Sequence, residues 1–215
     1  MAKLTLSTYW RSSCSFRVRI ALGYKGLAYE PVYVNILEGE QKTPAYLAKN
    51  PIGHVPTLTV DGVAYVESLA IMELLEDLHP EPALLPGTPH ARARVRALAE
   101  TINAGIQPLQ NTSVLSYLGD DKDKRLAWLQ HWLPRGLGAF EAQMTRNEGE
   151  GVKGPFAYGS TLSMADCCLV PQVYAARRFG VDLAPFPRIL RAEAAALELP
   201  FVTAAKPEAQ VDAKL

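Results

Sequence analysis

The chain predicts two domains, an α/β layer followed by an all-helical domain, and three observations carry that prediction. Residues 4–78 alternate strand and helix patterns and close on a β-hairpin and a helix. Residues 80–89 hold four prolines and a glycine, the composition of a linker. Beyond residue 90 the apolar patterns have helical spacing. The expected boundaries are residues 1–82 for the first domain and 90–215 for the second.

The elements follow in order. Leu4-Thr5-Leu6-Ser7-Thr8-Tyr9 alternates apolar and polar residues, as a half-buried strand does. Phe16 to Lys25 has helical spacing and stops at Gly26, a residue suited to the position after a helix C-cap. Tyr29 to Val34, rich in Tyr and Val, predicts a second strand. Thr43 to Lys49 predicts a short helix that must stop before Asn50-Pro51. Thr57–Val60 and Val63–Val66 flank Asp61-Gly62, which suits a type I′ turn because both central residues need positive φ. Ser68 then opens an apolar helix that ends before His79-Pro80.

In the second domain Ala91 to about Tyr117 reads as one long pattern interrupted near Gly105 and Pro108, where an internal proline bends a helix. Lys122 to Arg146 predicts another helix, and Asn147 to Pro155 a loop. Leu162–Phe179 and Pro187–Leu197 predict two more helices, with a polar, extended tail from Lys206. No internal repeat is visible.

Composition excludes several classes. Hydrophobic residues make up 48% of 215, enough for a sizeable core. Lys+Arg and Asp+Glu are equal at 22 each, without the basic excess that binding nucleic acid asks for. No apolar run reaches the length of a membrane span, and Met1-Ala2-Lys3 leads into the first strand without the pattern of a signal peptide. Cys14, Cys167 and Cys168, an odd count with two adjacent, do not form a disulfide framework, so a reducing cytoplasm is expected. His54, His79, His90 and His131 lack ligand spacing, so no metal is expected.

Three pieces of the first domain together suit a small peptide-like thiol. Ser12, Ser13 and Cys14 crowd a predicted helix N-terminus, where open N–H groups and the helix dipole favour an anion such as a thiolate. Pro56 precedes a strand and is a candidate cis proline, which would turn the backbone groups of Val55 towards a ligand's own backbone. Glu67 could take an ammonium, and Ser68 with nearby N–H groups a carboxylate. Each residue alone has a plain structural explanation: Ser12, Ser13 and Ser68 as caps, Pro56 as a trans loop proline. In the second domain Ser163-Met164-Ala165-Asp166 is a capping-box pattern, mostly structural in its implication, and Cys167 and Cys168 read as core thiols. Arg177 and Arg178 read either as a solvated face or as a fork for an anionic substrate, and Arg11 has the same two readings.

These blocks resemble the zeta class of the glutathione transferases over nearly the whole chain. Arg11-Ser12-Ser13-Cys14-Ser15-Phe16-Arg17-Val18-Arg19-Ile20-Ala21-Leu22 is similar to the class's active-site signature, with Phe16 where Trp is usual. Asn50-Pro51, Val55-Pro56-Thr57-Leu58, Glu67-Ser68-Leu69-Ala70-Ile71, Gly105 to Asn111, Met164-Ala165-Asp166 and Leu169-Val170-Pro171-Gln172-Val173 follow in the class's order. Glu67 stands where relatives often carry Gln.

The resemblance implies a thioredoxin-like first domain, a helical substrate domain and a homodimer. It implies glutathione as cofactor, held by Ser13, Cys14, Gln41, Val55, Pro56, Glu67, Ser68, Gln107 and Asn111, with Arg11 and Arg178 for a dicarboxylate substrate. The implied activity is glutathione-dependent cis–trans isomerisation of maleylacetoacetate to fumarylacetoacetate, a step of tyrosine and phenylalanine catabolism. Alternatives are the isomerisation of maleylpyruvate, a general transferase or dehalogenase, and, further off, a non-catalytic ligand carrier. Related maleylpyruvate isomerases tend to lack the Ser-Ser-Cys run, which favours maleylacetoacetate. Ser12, Ser13 and Cys14 are the implied catalytic residues, with Ser12 the hydroxyl beside the sulfur. Cys14 has two roles open to it, a supporting donor or a thiolate forming a mixed disulfide. The first is favoured because a second thiolate would repel the first.

Overall fold

The computed structural model describes residues 3–214. Its first elements are β1 (Leu4–Thr8), α1 (Ser13–Tyr24), β2 (Glu30–Tyr33), α2 (Pro44–Leu47), β3 (Thr57–Val60), β4 (Val63–Val66) and α3 (Ser68–Leu78). The strands form one mixed sheet in the order β2-β1-β3-β4. β1 runs parallel to β2 with Leu6 opposite Pro31, and antiparallel to β3 with Leu6 opposite Leu58. The β1–α1–β2 crossover gives the parallel pair, and the Asp61-Gly62 hairpin pairs β3 antiparallel with β4; Asp61 and Gly62 have φ of 48° and 88°, as a primed turn demands.

Two local expectations change. β1 is not half-buried: it lies between β2 and β3, and Ser7 and Thr8 are enclosed with Leu4 and Leu6. α1 begins three residues before the apolar pattern and is buried all round from Ser15 to Leu22, so Arg17 and Arg19 lie inside the protein. The core of this unit is Leu6, Phe16, Ile20, Leu58, Ile71, Met72 and Leu75. Each such side chain contributes roughly 1.5–3 kcal/mol on leaving water. Lys25 Nζ donates to Glu76 Oε2 at 2.8 Å and to the carbonyls of His79 and Pro82, and Glu76 also accepts from Leu84 N–H at 2.8 Å. That buried pair fastens the proline-rich segment after α3 to α1.

The helical elements are α4 (Pro89–Asn103), α5 (Thr112–Tyr117), α6 (Lys122–Gly149), α7 (Met164–Arg178), α8 (Pro187–Leu197) and α9 (Pro200–Ala204). The pattern expected as one bent helix over 91–117 is instead α4, a 3₁₀ turn over Gln107–Gln110, and α5. Pro108 sits inside that turn and ends the α-helical ladder rather than bending it. Gly136 in α6 lets Ile106 pack against the helix backbone: a Cβ there would stand 2.3 Å from Ile106 Cγ1. The helical core is built from Val95, Leu98, Leu133, Leu137, Phe140, Leu169, Val173 and Ile189.

The chain divides into two compact units, one running to Leu84 and resuming at Glu198, the other spanning Leu85–Leu197. The last residues, placed with the helical domain by sequence, therefore cluster with the α/β unit. Nor is the tail extended. Pro207–Ala209 and Val211–Lys214 are 3₁₀ turns, and Tyr24 and Phe201 stack with ring centroids 5.6 Å apart.

Candidate active site

Ser12 is the N-cap of α1, with extended backbone, and its Oγ accepts the N–H of Ser15 at 3.1 Å. The turn that delivers it is closed by Ser12 N–H to Tyr9 O at 3.0 Å. The two readings of Ser12 are thus compatible. A hydroxyl that accepts from the helix keeps its own proton to donate. The N–H groups of Ser13 and Cys14 have no partner among the described residues, and all three side chains are half-buried. The first helical turn therefore presents a hydroxyl proton and open N–H donors at the positive end of the helix dipole. Arg11 is also half-buried, with its guanidinium 4.9 Å from the Trp10 ring centroid.

Val55–Pro56 is cis. The N–H and C=O of Val55 have no partner among the described residues. Residues that sequence reasoning passed over hold this loop. Tyr46 Oη and Asn50 Nδ2 donate to His54 O at 2.7 and 2.8 Å, and both reach Thr57 Oγ1, at 3.1 and 3.3 Å. Burial raises the Tyr46 phenol above its ordinary pKa, against the opposing hydrogen bonds from Thr57 and Asn50, so it stays a donor at neutral pH. In the sequence Asn50-Pro51 reads as a helix stop; an Asn just ahead of a proline-bearing loop is the signal that could have marked the clamp. Tyr9, Val34, Tyr46 and Val55 form one apolar cluster with Trp10 and Ile36 against it, which packs the start of the Ser12 turn and the Val55 loop together.

Glu67 occupies the N-cap position of α3 with φ 66° and ψ 115°, an uncommon conformation for a residue with a Cβ, and its side chain is exposed. Ser68 is therefore the first helical residue and not the cap. Its side chain is enclosed, and Oγ accepts from Arg17 Nη1 at 3.1 Å. Gln41 Nε2 donates to Ile36 O at 3.2 Å, while its Oε1 is buried without a hydrogen-bond partner among the described residues. The open N–H groups of Ser13 and Cys14, the open backbone of Val55 and the spare oxygen of Gln41 fit a ligand that brings its own backbone amides and an anionic sulfur.

In the helical unit Gln107 opens the 3₁₀ turn, and Asn111 caps α5, its Oδ1 accepting from Ser113 N–H at 3.3 Å. The carboxamide of Asn111 thus has a local structural task. Gln172 Nε2 donates to buried Gln110 Oε1 at 2.9 Å, tying α7 to that turn. Arg177 pairs with Glu193 through two contacts of 3.1 and 2.6 Å, the solvated-face reading for that residue. Arg178 is exposed, its guanidinium 4.6 Å from the Phe179 ring centroid. The capping box is present: Asp166 Oδ2 accepts from the N–H and Oγ of Ser163 at 2.9 and 2.8 Å, and Oδ1 from Ala157 N–H at 2.7 Å. Among the described residues no three His, Cys, Asp or Glu side chains gather as metal ligands would, and no helix is long and apolar enough to cross a membrane.

The chain is similar to known proteins along almost all of its length. Residues 6–83 match the family model of the glutathione S-transferase N-terminal domain, and residues 130–197 that of the C-terminal domain. A Drosophila melanogaster protein named probable maleylacetoacetate isomerase 2 is 46% identical over 209 residues, covering 96% of this chain and 89% of that protein. The holo structure of a maleyl pyruvate isomerase, described as a bacterial glutathione S-transferase of the zeta class, superposes with a TM-score of 0.92 at 41% identity, covering 97% of this chain and 99% of that one. A maleylacetoacetate isomerase from Anaeromyxobacter dehalogenans 2CP-1, with bound GSH in its active site, superposes with a TM-score of 0.87 at 45% identity over 99% of this chain and 98% of that one. With both domain models matched and relatives similar along almost all of its length, the chain belongs to the glutathione S-transferase family, in its zeta class.

Proposed function

We propose that the chain is a glutathione-dependent cis–trans isomerase that converts maleylacetoacetate to fumarylacetoacetate. The observation that carries the reading is the Ser12 hydroxyl, which accepts the Ser15 N–H at 3.1 Å and keeps its proton for a sulfur at the α1 N-terminus. Bound glutathione supplies a thiolate that adds to the alkene, lets the former double bond rotate, and leaves unchanged. The protein's part is to keep that sulfur ionised and to hold the substrate's charges.

A free thiol with pKa about 8.5 is only a few per cent ionised at neutral pH. Lowering it by one to two units corresponds to roughly 1.4–2.8 kcal/mol. The Ser12 hydroxyl, the N–H groups of Ser13 and Cys14 and the α1 dipole are of the right size to supply that. Val55 would pair with the tripeptide backbone through its N–H and C=O, beside Pro56. Glu67 would take the ammonium, and Ser68 with the first N–H groups of α3 a carboxylate. Gln41, Gln107 and Asn111 are assigned to glutathione, and Arg11 and Arg178 to the substrate carboxylates, as the resemblance implies. The α/β unit is read as the glutathione domain and the helical unit as the substrate domain. A homodimer in a reducing cytoplasm completes the proposal, and light scattering on the purified protein tests the dimer.

The similarity to a maleyl pyruvate isomerase structure at TM-score 0.92 favours one second reading, maleylpyruvate as substrate. One experiment separates the readings. Maleylacetoacetate and maleylpyruvate are followed optically, with and without glutathione. The expected result is turnover of maleylacetoacetate only with the thiol present and the thiol recovered intact. Preference for maleylpyruvate selects the second reading, consumption of glutathione indicates a conjugating transferase, and turnover without thiol overturns the mechanism.

A further inference from the structure

We propose that Asp212 and Arg19 are positioning residues for Ser12, which clamp the turn that carries it through the peptide groups on either side of Trp10. The proposal rests on the reading that Ser12 serves the glutathione sulfur, and it gives the C-terminal segment a task in that site. Asp212 Oδ2 accepts the N–H of Trp10 at 2.8 Å, across 202 positions of sequence. From the other side Arg19 Nη2 donates to Trp10 O at 2.9 Å, and Nη1 donates to Tyr9 O at 3.4 Å and to Thr8 Oγ1 at 3.1 Å. The same guanidinium donates from Nε to Ala205 O at 3.0 Å, so one side chain holds both the turn and the C-terminal segment. Arg19 is 2% and Asp212 7% exposed.

Trp10 is two residues before Ser12, and the turn closes on Tyr9 O, one of the carbonyls that Arg19 grips. A buried charged donor and a buried carboxylate on one peptide segment fix its orientation more firmly than neutral contacts would. Burial lowers the Arg19 guanidinium to about 10, against the favourable electrostatic surroundings of Tyr29 and Asp212, so it remains a cation at neutral pH. The segment of residues 204–210 has its own fastening: Gln210 Nε2 donates to Ala204 O at 2.9 Å and Lys206 O at 3.0 Å. That separates holding the tail together from holding the Ser12 turn.

The test uses the full chain and two readouts besides turnover: the pKa of the bound glutathione thiol, from thiolate absorbance, and amide hydrogen exchange. Asp212→Ala is expected to raise the bound thiol by about one pKa unit, tenfold in the thiolate-to-thiol ratio at a fixed pH. It is also expected to speed exchange at residues 10–13. Asp212→Asn keeps an oxygen that accepts the Trp10 N–H and is expected to restore both readouts towards wild type. Gln210→Ala loosens residues 204–210 and is expected to change neither. Deleting residues 211–215 removes the same acceptor and is expected to reproduce Asp212→Ala. Asp212→Ala and Gln210→Ala giving the same thiol pKa and the same exchange at 10–13 overturns the proposal, as does an Asn variant shifted as far as Ala. A wild-type protein that leaves the thiol at its free value overturns the functional reading and this assignment together; normal titration with no effect of Asp212 overturns this assignment alone.

Discussion

Arg17 Nη1 donates to Ser68 Oγ at 3.1 Å, joining the interior of α1 to the first residue of α3. Arg17 is completely enclosed, and its charge stands beneath the helix N-terminus proposed to take a carboxylate of glutathione. Ser68→Ala removes an acceptor from a buried cation. A hydrogen bond to a charged group is worth about 1.5–3 kcal/mol, so urea unfolding is expected to show a loss of that order. Steady-state rates with glutathione varied are expected to show KM for glutathione rising about tenfold, equivalent to about 1.4 kcal/mol, with a smaller change in kcat. A stability loss with glutathione KM unchanged would leave Ser68 a packing residue only.

Ser12→Ala removes a cap and a sulfur-side donor at once, and the two effects separate by size. Loss of an N-cap costs about 1 kcal/mol of stability, visible as a modest fall in melting temperature. Loss of a donor aimed at developing or resident charge costs about 100-fold in rate. Ser12→Thr keeps both functions and is expected to retain most activity. Cys14→Ala keeps the cap, the backbone N–H groups and the hydroxyl, and is expected to stay within a few-fold of wild type. The reverse ranking of Ser12→Ala and Cys14→Ala in initial-rate assays would move the sulfur-side role to Cys14.

What was legible in the sequence is what short-range chemistry determines. The Asp61-Gly62 hairpin, the capping serine near the start of α1, the glycine at position 26 with φ 65° and the capping box of Ser163 and Asp166 each depend on residues within a few positions of one another. The features that hold the candidate site were not legible. Arg17 and Ser68 are 51 positions apart, Arg19 and Ala205 are 186, and Trp10 and Asp212 are 202. Arginine is seldom fully buried unless paired, so the sequence by itself does not place Arg17 and Arg19 inside the protein. They are buried because β1, α3 and the C-terminal segment surround α1 and supply oxygens to both guanidiniums. The tail reads as extended for the same reason: Asp212 finds its partner at Trp10, far away in sequence, and Gln210 bonds the carbonyls of Ala204 and Lys206 in the folded segment.

Tyr46 and Asn50 both donate to His54 O, one residue before Val55. If that clamp presents the backbone of Val55 to glutathione, loosening it should weaken cofactor binding more than turnover at saturation. Tyr46→Phe deletes one donor, and Asn50→Ala deletes the other together with its acceptor for Ile52 N–H at 3.3 Å. Each is expected to cost about 1–2 kcal/mol of stability. Each is expected to weaken glutathione binding several-fold by isothermal titration. Because both residues act on one carbonyl, the double variant should cost less than the sum of the singles. Strict additivity, or unchanged glutathione affinity, would separate the clamp from the cofactor.

Asp166 gives a pH dependence whose sign follows from its surroundings. Burial is the largest effect and raises its carboxyl from 3.8 to about 6, against the hydrogen bonds from Ala157 and Ser163 that favour the ionised form. The native state therefore binds this proton more tightly than the unfolded chain. Between about pH 4 and 6 the folded group is protonated while the unfolded one is ionised, so stability from this residue falls as pH rises through that window. The full penalty, about 3 kcal/mol, is present above pH 6 and vanishes below the unfolded value. Asp166→Asn carries no titrating group, so the stability difference between wild type and this variant isolates the effect. Urea unfolding at intervals from pH 4.5 to 7.5 is expected to show wild type gaining on Asp166→Asn with acidification, most steeply near pH 5, midway between the unfolded and folded values. At pH 7 Asp166→Ala is expected to be less stable than wild type by about 3–5 kcal/mol, because it leaves the N–H groups of Ala157 and Ser163 buried without an acceptor. A difference curve between wild type and Asp166→Asn that is flat across this range would mean that the carboxyl stays ionised in the fold, with its three donors outweighing the loss of water.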